Sequence, residues 1–348
     1  GLKVGKPVKC MLAVLADNIE ECFESLGEKI QLENKIDGFR LQCHFDGNKI
    51  KLFTRRMEDV TEQFPDIVEF LKKHVNGENY ILDGEAVGYD KKTGRYLPFQ
   101  IISQRIKRKY NIKEMAEKFP VELDLFDVIY YNGKNLMETE LTERRKILEM
   151  IVKEKKKEVV LTKKLVTDEN KKAEEYFKKV LKDGFEGLMA KNLESKYRPG
   201  RYVNGWMKLK NILEPLDLVI VKAEYGEGKR VGWLTSYTVA CKSENKFLEI
   251  GKVSTGVKEK TDGLTYKEMT RILKPLIENE KQKGKEVVVK PKIIIEVGYE
   301  EIQKSPTYNS EWALRFPKVL RLRNDKLLNE ISDLKLIKKI YSSQRGKQ

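Results

Sequence analysis

The chain has 348 residues and a formal net charge of +15, with 69 Lys and Arg against 54 Asp and Glu. That length accommodates two domains, each with its own core. No apolar run reaches membrane-spanning length and GLKVGKPVKC lacks the apolar core of a signal peptide, so an intracellular protein without membrane contact is expected.

In chain order, apolar residues recur at helical spacing from Ile19 to Ile30, and two alternating stretches between Gln31 and Thr54 flank the turn signal Asp46-Gly47. A helix feeding a hairpin is predicted. Thr61 to Val75 is helical in period, and YILDGEAVGY and VELDLFDVIYY predict strands, the second closed by Asn132-Gly133. Helices follow at Leu141 to Lys153 and Lys171 to Lys182, the latter stopped by Gly184. EGLMAKN and GWMKLK add two strands and complete a mixed α+β domain.

From DLVIVKAEY onward the texture turns β-rich, with five or so short strands and one helical stretch from Tyr266 to Ile277. That pattern suggests a small oligonucleotide-binding (OB) barrel. The expected domains are 1–212 and 213–348, the second with a C-terminal helix. YGEGKR lacks the full phosphate-loop spacing and reads as a turn between barrel strands.

Composition favours a polyanionic partner, nucleic acid first, although a Lys/Glu-rich surface that only solubilises the fold explains the charge about as well. Cys10, Cys22, Cys43 and Cys241 form no C-x-x-C pair, which argues for buried thiols rather than a zinc site or a disulfide framework. His44 and His74 suggest neither a metal site nor a triad.

ENKIDGFR holds the pattern K-x-D-G-x-R. A lysine amine that attacks phosphorus must be neutral, which asks for neighbouring cations and partial desolvation, and glycine after Asp37 allows a sharp turn close to a ligand. The plainer reading is a charged hairpin strand. Phe126, taken alone, reads as core, and Glu85 and Glu186 as solvent-facing strand acids, although each acid stands beside a glycine that permits close ligand approach.

K-x-D-G-x-R resembles the signature motif of the covalent nucleotidyltransferases: DNA ligases, RNA ligases and mRNA capping enzymes. FTRRMEDVTEQFPDI, LDGEAV, FDVIYYNG, EGLMAKN and GWMKLK resemble the other motifs of these enzymes in the same order, and ALRFPKVLRLRNDK resembles the closing motif, with R-x-D-K at Arg323 to Lys326. The wording is most similar to the ATP-dependent DNA ligases of archaea and covers nearly the whole chain, departing at Cys10, where those enzymes usually have proline.

The resemblance implies a nucleotidyltransferase domain followed by an OB domain, ATP and Mg²⁺ (or Mn²⁺) as cofactors, and a nucleophilic Lys35 that carries AMP. It puts Glu33 near the adenine, Arg40 and Arg55 on ribose and phosphates, Glu85 on the ribose or a metal, and Phe126 against the base. Glu186 would ligate a divalent ion, Lys191, Arg201, Lys208 and Lys210 would line the phosphates, and Arg323 and Lys326 would meet pyrophosphate. Nicked duplex DNA is the implied substrate, in repair, replication or recombination. Because the chain begins with Gly at a junction that follows a separate DNA-binding domain in such ligases, a longer enzyme is expected, with that domain, a sliding clamp bound through it, and a monomeric state. The alternatives are an RNA ligase or capping guanylyltransferase, and a basic nucleic-acid-binding protein without catalysis.

Overall fold

The structure is a computed structural model that describes residues 1–210, 213–257, 264–278 and 284–344. Two compact units are present, Gly1–Asn211 and Ile212–Gln348. Residue 212, where the first expected domain ends, lies outside the described residues.

The first unit holds two main sheets. One runs in the order Lys164–Thr167, Ile30–Lys35, Gly187–Asn192, Trp206–Lys210, Val14–Leu15. The other runs Ile50–Thr54, Phe39–Phe45, Tyr80–Gly88, Val121–Tyr131, Lys134–Asn135, with Val159–Leu161 added parallel to Val121–Tyr131. The hairpin around Asp46-Gly47 forms as expected, but the strand before it does not join it. Ile30–Lys35 belongs to the first sheet and Phe39–Phe45 to the second, so the chain changes sheets at Ile36-Asp37-Gly38. Gly38 makes the crossing possible, since a Cβ there would lie 2.2 Å from the Ala86 carbonyl oxygen.

Strand alternation sorts each sheet into two faces. In the first, Ile30, Leu32, Leu188, Ala190 and Leu209 pack with Cys22, Leu26, Ala173 and Val180 of helices Ile19–Leu26 and Asn170–Lys182. In the second, Leu41, Cys43, Leu82, Leu123 and Leu125 pack with Ile67, Leu71 and Leu148 of helices Pro65–His74 and Leu141–Ile151. The two remaining faces carry polar and aromatic residues, and they meet through a cluster that includes Met11, Ile81, Phe126, Tyr197 and Trp206. Glu33, Lys35, Arg40, Glu85, Phe126 and Lys191, all expected at the site, lie between these faces.

Helix boundaries follow local chemistry. Asn18 caps the first helix by accepting from the Glu21 amide, and Gly27, at φ +121°, ends it short of the predicted Ile30. Pro65 starts the second, leaving Thr61–Gln63 as a separate 3₁₀ turn. Helices Phe99–Lys107 and Ile112–Lys118 were not foreseen.

In the second unit, Lys246–Val253, Leu234–Ser243, Leu216–Tyr225, Ile294–Gly298 and Lys318–Leu322 form an antiparallel path, bent by bulges, with Glu286–Val288 joined to Leu216–Tyr225. Glu301–Lys304 pairs with Trp312–Arg315, and helices Tyr266–Leu273 and Leu334–Ser343 pack on this OB-like core. Eight strands therefore stand among the described residues where about five were expected. The long β-rich runs are broken internally, one of them by Phe316-Pro317, with Phe316 at φ +48°.

Candidate active site

Three neighbouring strands place nine residues on one sheet face. Their register aligns Lys35 with Gly187 and Lys210, Glu33 with Met189 and Lys208, and Gln31 with Lys191 and Trp206. Charge is concentrated at the first row. Lys35 Nζ lies 3.4 Å from Glu186 Oε2, and Lys210 Nζ lies 3.6 Å from Glu186 Oε1. Burial, helped by Lys210, Lys35 and Arg201, lowers the pKa of Lys208. Arg201 reaches this group from an exposed position on the short strand Gly200–Arg201, which pairs with Met11–Leu12.

Glu33 of the second row and Lys191 of the third are closed off together. Glu33 Oε1 is 3.0 Å from Lys191 Nζ, Glu33 Oε2 accepts from Gln31 Nε2 at 2.8 Å, and Glu33 and Lys191 are each 1% exposed. Lys191 Nζ also stands 4.4 Å from the centre of the Phe126 ring and 4.1 Å from that of Trp206. Lys191 was expected along the phosphates with the other cations. It is buried beside the Phe126 and Trp206 rings and paired with Glu33.

Arg40 is likewise engaged within the protein. Its Nε and Nη2 donate to the two Asp83 oxygens, both at 2.6 Å, and Nη2 also donates to the Met11 carbonyl at 2.9 Å. Tyr197 donates its hydroxyl to Asp83 Oδ2 at 2.6 Å and accepts from the Met11 amide at 3.1 Å. Burial opposes the charge on Arg40, but the adjacent Asp83 outweighs it and holds the guanidinium pKa well above its ordinary value. Arg40 lines the cavity with these donors already committed. Asp83 and Tyr197 were missed in the sequence, although Asp83 shares a strand face with Glu85 and was open to the same reading.

Glu85 has one buried oxygen, Oε2, with no hydrogen-bond partner. Burial raises its pKa to about 6, while Lys35, Arg40 and a hydrogen bond from the Gly38 amide pull the other way. Gly84 and Gly187 serve neighbouring strands rather than a ligand: an added Cβ would lie 2.7 Å from the Asp124 carbonyl oxygen at Gly84 and 2.0 Å from that of Leu209 at Gly187. Asp37 Oδ2 accepts from the Phe99 amide at 3.3 Å, tying the turn after Lys35 to the start of an unforeseen helix.

A cavity between the two sheets is lined by Glu33, Asn34, Lys35, Ile36, Arg40, Glu85, Phe126, Thr162, Met189, Lys191 and Trp206. Phe126 is 8% exposed and meets Trp206 edge-on at 6.0 Å, so it is at once a packed residue and a cavity wall. Arg55 is exposed in the turn after Ile50–Thr54 and does not line this cavity. Among the described residues no cluster of three or more His, Cys, Asp or Glu forms a metal site. Glu85 and Glu186 still suit a hard cation that draws its other ligands from water and phosphate, since both offer oxygen and Glu85 has an oxygen to spare.

In the second unit, Arg323 Nη1 is 3.1 Å from both Asp217 and Glu296, while its Nε and Nη2 each lie 3.1 Å from Asp325. Lys326 Nζ is 3.9 Å from Asp217. Both cations are compensated within their own unit.

Residues 10–210 match the family described as ATP dependent DNA ligase domain, and residues 230–326 the ATP dependent DNA ligase C terminal region. The DNA ligase of Nanoarchaeum equitans is 51% identical over 99% of this chain and 61% of its own length. That of Thermococcus onnurineus is 43% identical over 99% of this chain and 60% of its own. The chain thus spans about three-fifths of the length of these curated relatives. Two solved structures share the fold: Pmar-Lig_PreS3, with a TM-score of 0.62 and 21% identity over 90% of this chain and 67% of that one, and one from the Lig E DNA ligases, with a TM-score of 0.53 and 18% identity over 91% and 100%. The chain belongs to the ATP-dependent DNA ligase family.

Proposed function

We propose that the chain seals nicks in duplex DNA with ATP, through an adenylyl group carried on Lys35. The observation that carries this reading is the position of Lys35 Nζ: it lines the cavity beside Glu186, at the edge of a patch that contains Lys208, Lys210 and Arg201. The Lys35 amine, once neutral, attacks the α-phosphorus of ATP; the N–P bond forms, the bond to the bridging oxygen breaks, and pyrophosphate leaves. An oxygen of the 5′-phosphate at the nick then displaces Lys35, and the 3′-hydroxyl displaces AMP to close the backbone.

Such a reaction needs positioning and charge neutralisation more than covalent help. Lys208, Lys210 and Arg201 would offset phosphate charge, and Glu186, 3.4 Å from Lys35 Nζ, would accept the Lys35 proton. Glu85 and Glu186 would hold Mg²⁺, or Mn²⁺ through the same oxygen donors; when bound, the ion neutralises charge on the phosphates. Phe126 and Met189 would bracket the base, above the buried Glu33–Lys191 pair. Arg323 and Lys326 would act on pyrophosphate by exchanging their carboxylate partners for phosphate oxygens.

Nicked duplex DNA as substrate is supported by the +15 net charge and by the family itself. The test is a nicked-duplex sealing assay with ATP, run beside GTP and beside RNA strands. Sealing of the DNA nick with ATP is expected; transfer of GMP to RNA ends without DNA sealing would contradict the proposal.

A further inference from the structure

Three cavity-lining residues carry a buried polar atom with no partner: Glu85 Oε2, Trp206 Nε1 and Thr162 Oγ1. Thr162 belongs to none of the motifs above. It sits in the link between strands Val159–Leu161 and Lys164–Thr167, 4% exposed, and its backbone is fixed on both sides. Its amide donates to the Leu125 carbonyl at 2.9 Å, next to Phe126, and its carbonyl accepts from Arg145 Nη2 at 2.8 Å. The following residue is tied to the Lys35 strand, since the Lys163 carbonyl accepts from the Asn34 amide at 3.4 Å.

A buried hydroxyl without a partner is costly, and one held this rigidly on a cavity wall is suited to a ligand's polar group. The other polar groups of the wall are less free. Both Glu33 oxygens are engaged, Asn34 Oδ1 accepts from Tyr176 at 2.7 Å, and the Trp206 indole can only donate. Glu85 stands among the charges of Lys35, Arg40 and Glu186, at the phosphate end of the site. We infer that Thr162 is a base-reading residue, whose hydroxyl oxygen accepts a hydrogen bond from the 6-amino group of the adenine. This rests on the ATP reading above and names the contact by which the base is recognised.

The experiment measures formation of the lysyl–nucleotide adduct with ATP and with purine riboside triphosphate, which differs only in lacking the 6-amino group, for the wild type, Thr162→Val and Thr162→Ser. In the wild type kcat/KM should favour ATP by about tenfold. Thr162→Val should bring the two nucleotides within about twofold, by losing activity with ATP alone and through KM, whereas Thr162→Ser should keep the preference. An undiminished preference in Thr162→Val overturns this inference and leaves the ligase reading standing. A wild type that forms no adduct with either nucleotide overturns that reading and this inference with it.

Discussion

Arg40 and Asp83, on adjacent strands, are joined by two hydrogen bonds of 2.6 Å, and Asp83 is fully buried. Removing one partner of such a pair leaves a charge in the interior, which typically costs about 3–5 kcal/mol. Asp83→Ala should lose stability on this scale in urea denaturation, and Arg40→Leu added to it should recover part of the loss. A change below about 1 kcal/mol would show that the pair does not anchor Met11 and Tyr197 to the cavity wall.

Glu186 touches both Lys35 and Lys210. Glu186→Gln keeps the shape and removes the charge, so adenylylation of Lys35 should slow by about 10²-fold or more while nucleotide affinity changes only a few-fold. Stopped-flow adduct formation beside equilibrium nucleotide binding separates the two. Equal losses would reduce Glu186 to a binding residue.

His44 links the N-terminal segment to the second sheet, accepting from the Gly5 amide at Nδ1 and pairing with Gln42 through Nε2. Burial, with a smaller push from Lys51, lowers its pKa from 6.5 to about 4. The unfolded chain therefore binds the proton more readily, and the stability His44 contributes is present above about pH 6.5 and lost as pH falls toward 4. The loss should be on the order of 2–3 kcal/mol between pH 7 and pH 4.5, read as the difference from His44→Gln across the same denaturation series. Parallel pH profiles for the two proteins would contradict this.

Arg323 is surrounded by Asp217, Glu296 and Asp325. If its role is on pyrophosphate, Arg323→Ala should slow lysine adenylylation by about 10²-fold and sealing of a pre-adenylylated nick by less than tenfold. Similar losses in both steps would remove the distinction.

Much of this architecture is visible in the chain because strand alternation and motif order are local. Glu33 and Lys35 share a face by simple period, and Glu186 precedes the strand that pairs with theirs. Sheet membership is not local, which is why Gln31 to Thr54 read as one hairpin although Gly38 marks a change of sheet. Partner choice is not local either: Lys191 and Arg40 look like free cations until folding brings Glu33 and Asp83 to them. The helix Ile112–Lys118 escaped notice because its N-cap, Asn111, has a left-handed backbone and makes no side-chain cap bond. Thr162 carried no signal, since its value lies in an unpartnered hydroxyl.

The proposed chemistry turns on the Lys35 amine. Incubating the protein with ATP and Mg²⁺, measuring its intact mass and mapping the modified peptide tests it most directly. One adenylyl group per chain is expected, attached at Lys35, with no adduct in Lys35→Ala or in Lys35→Arg, whose guanidinium stays protonated. An adduct that maps elsewhere, or that survives at full stoichiometry in Lys35→Ala, would contradict it.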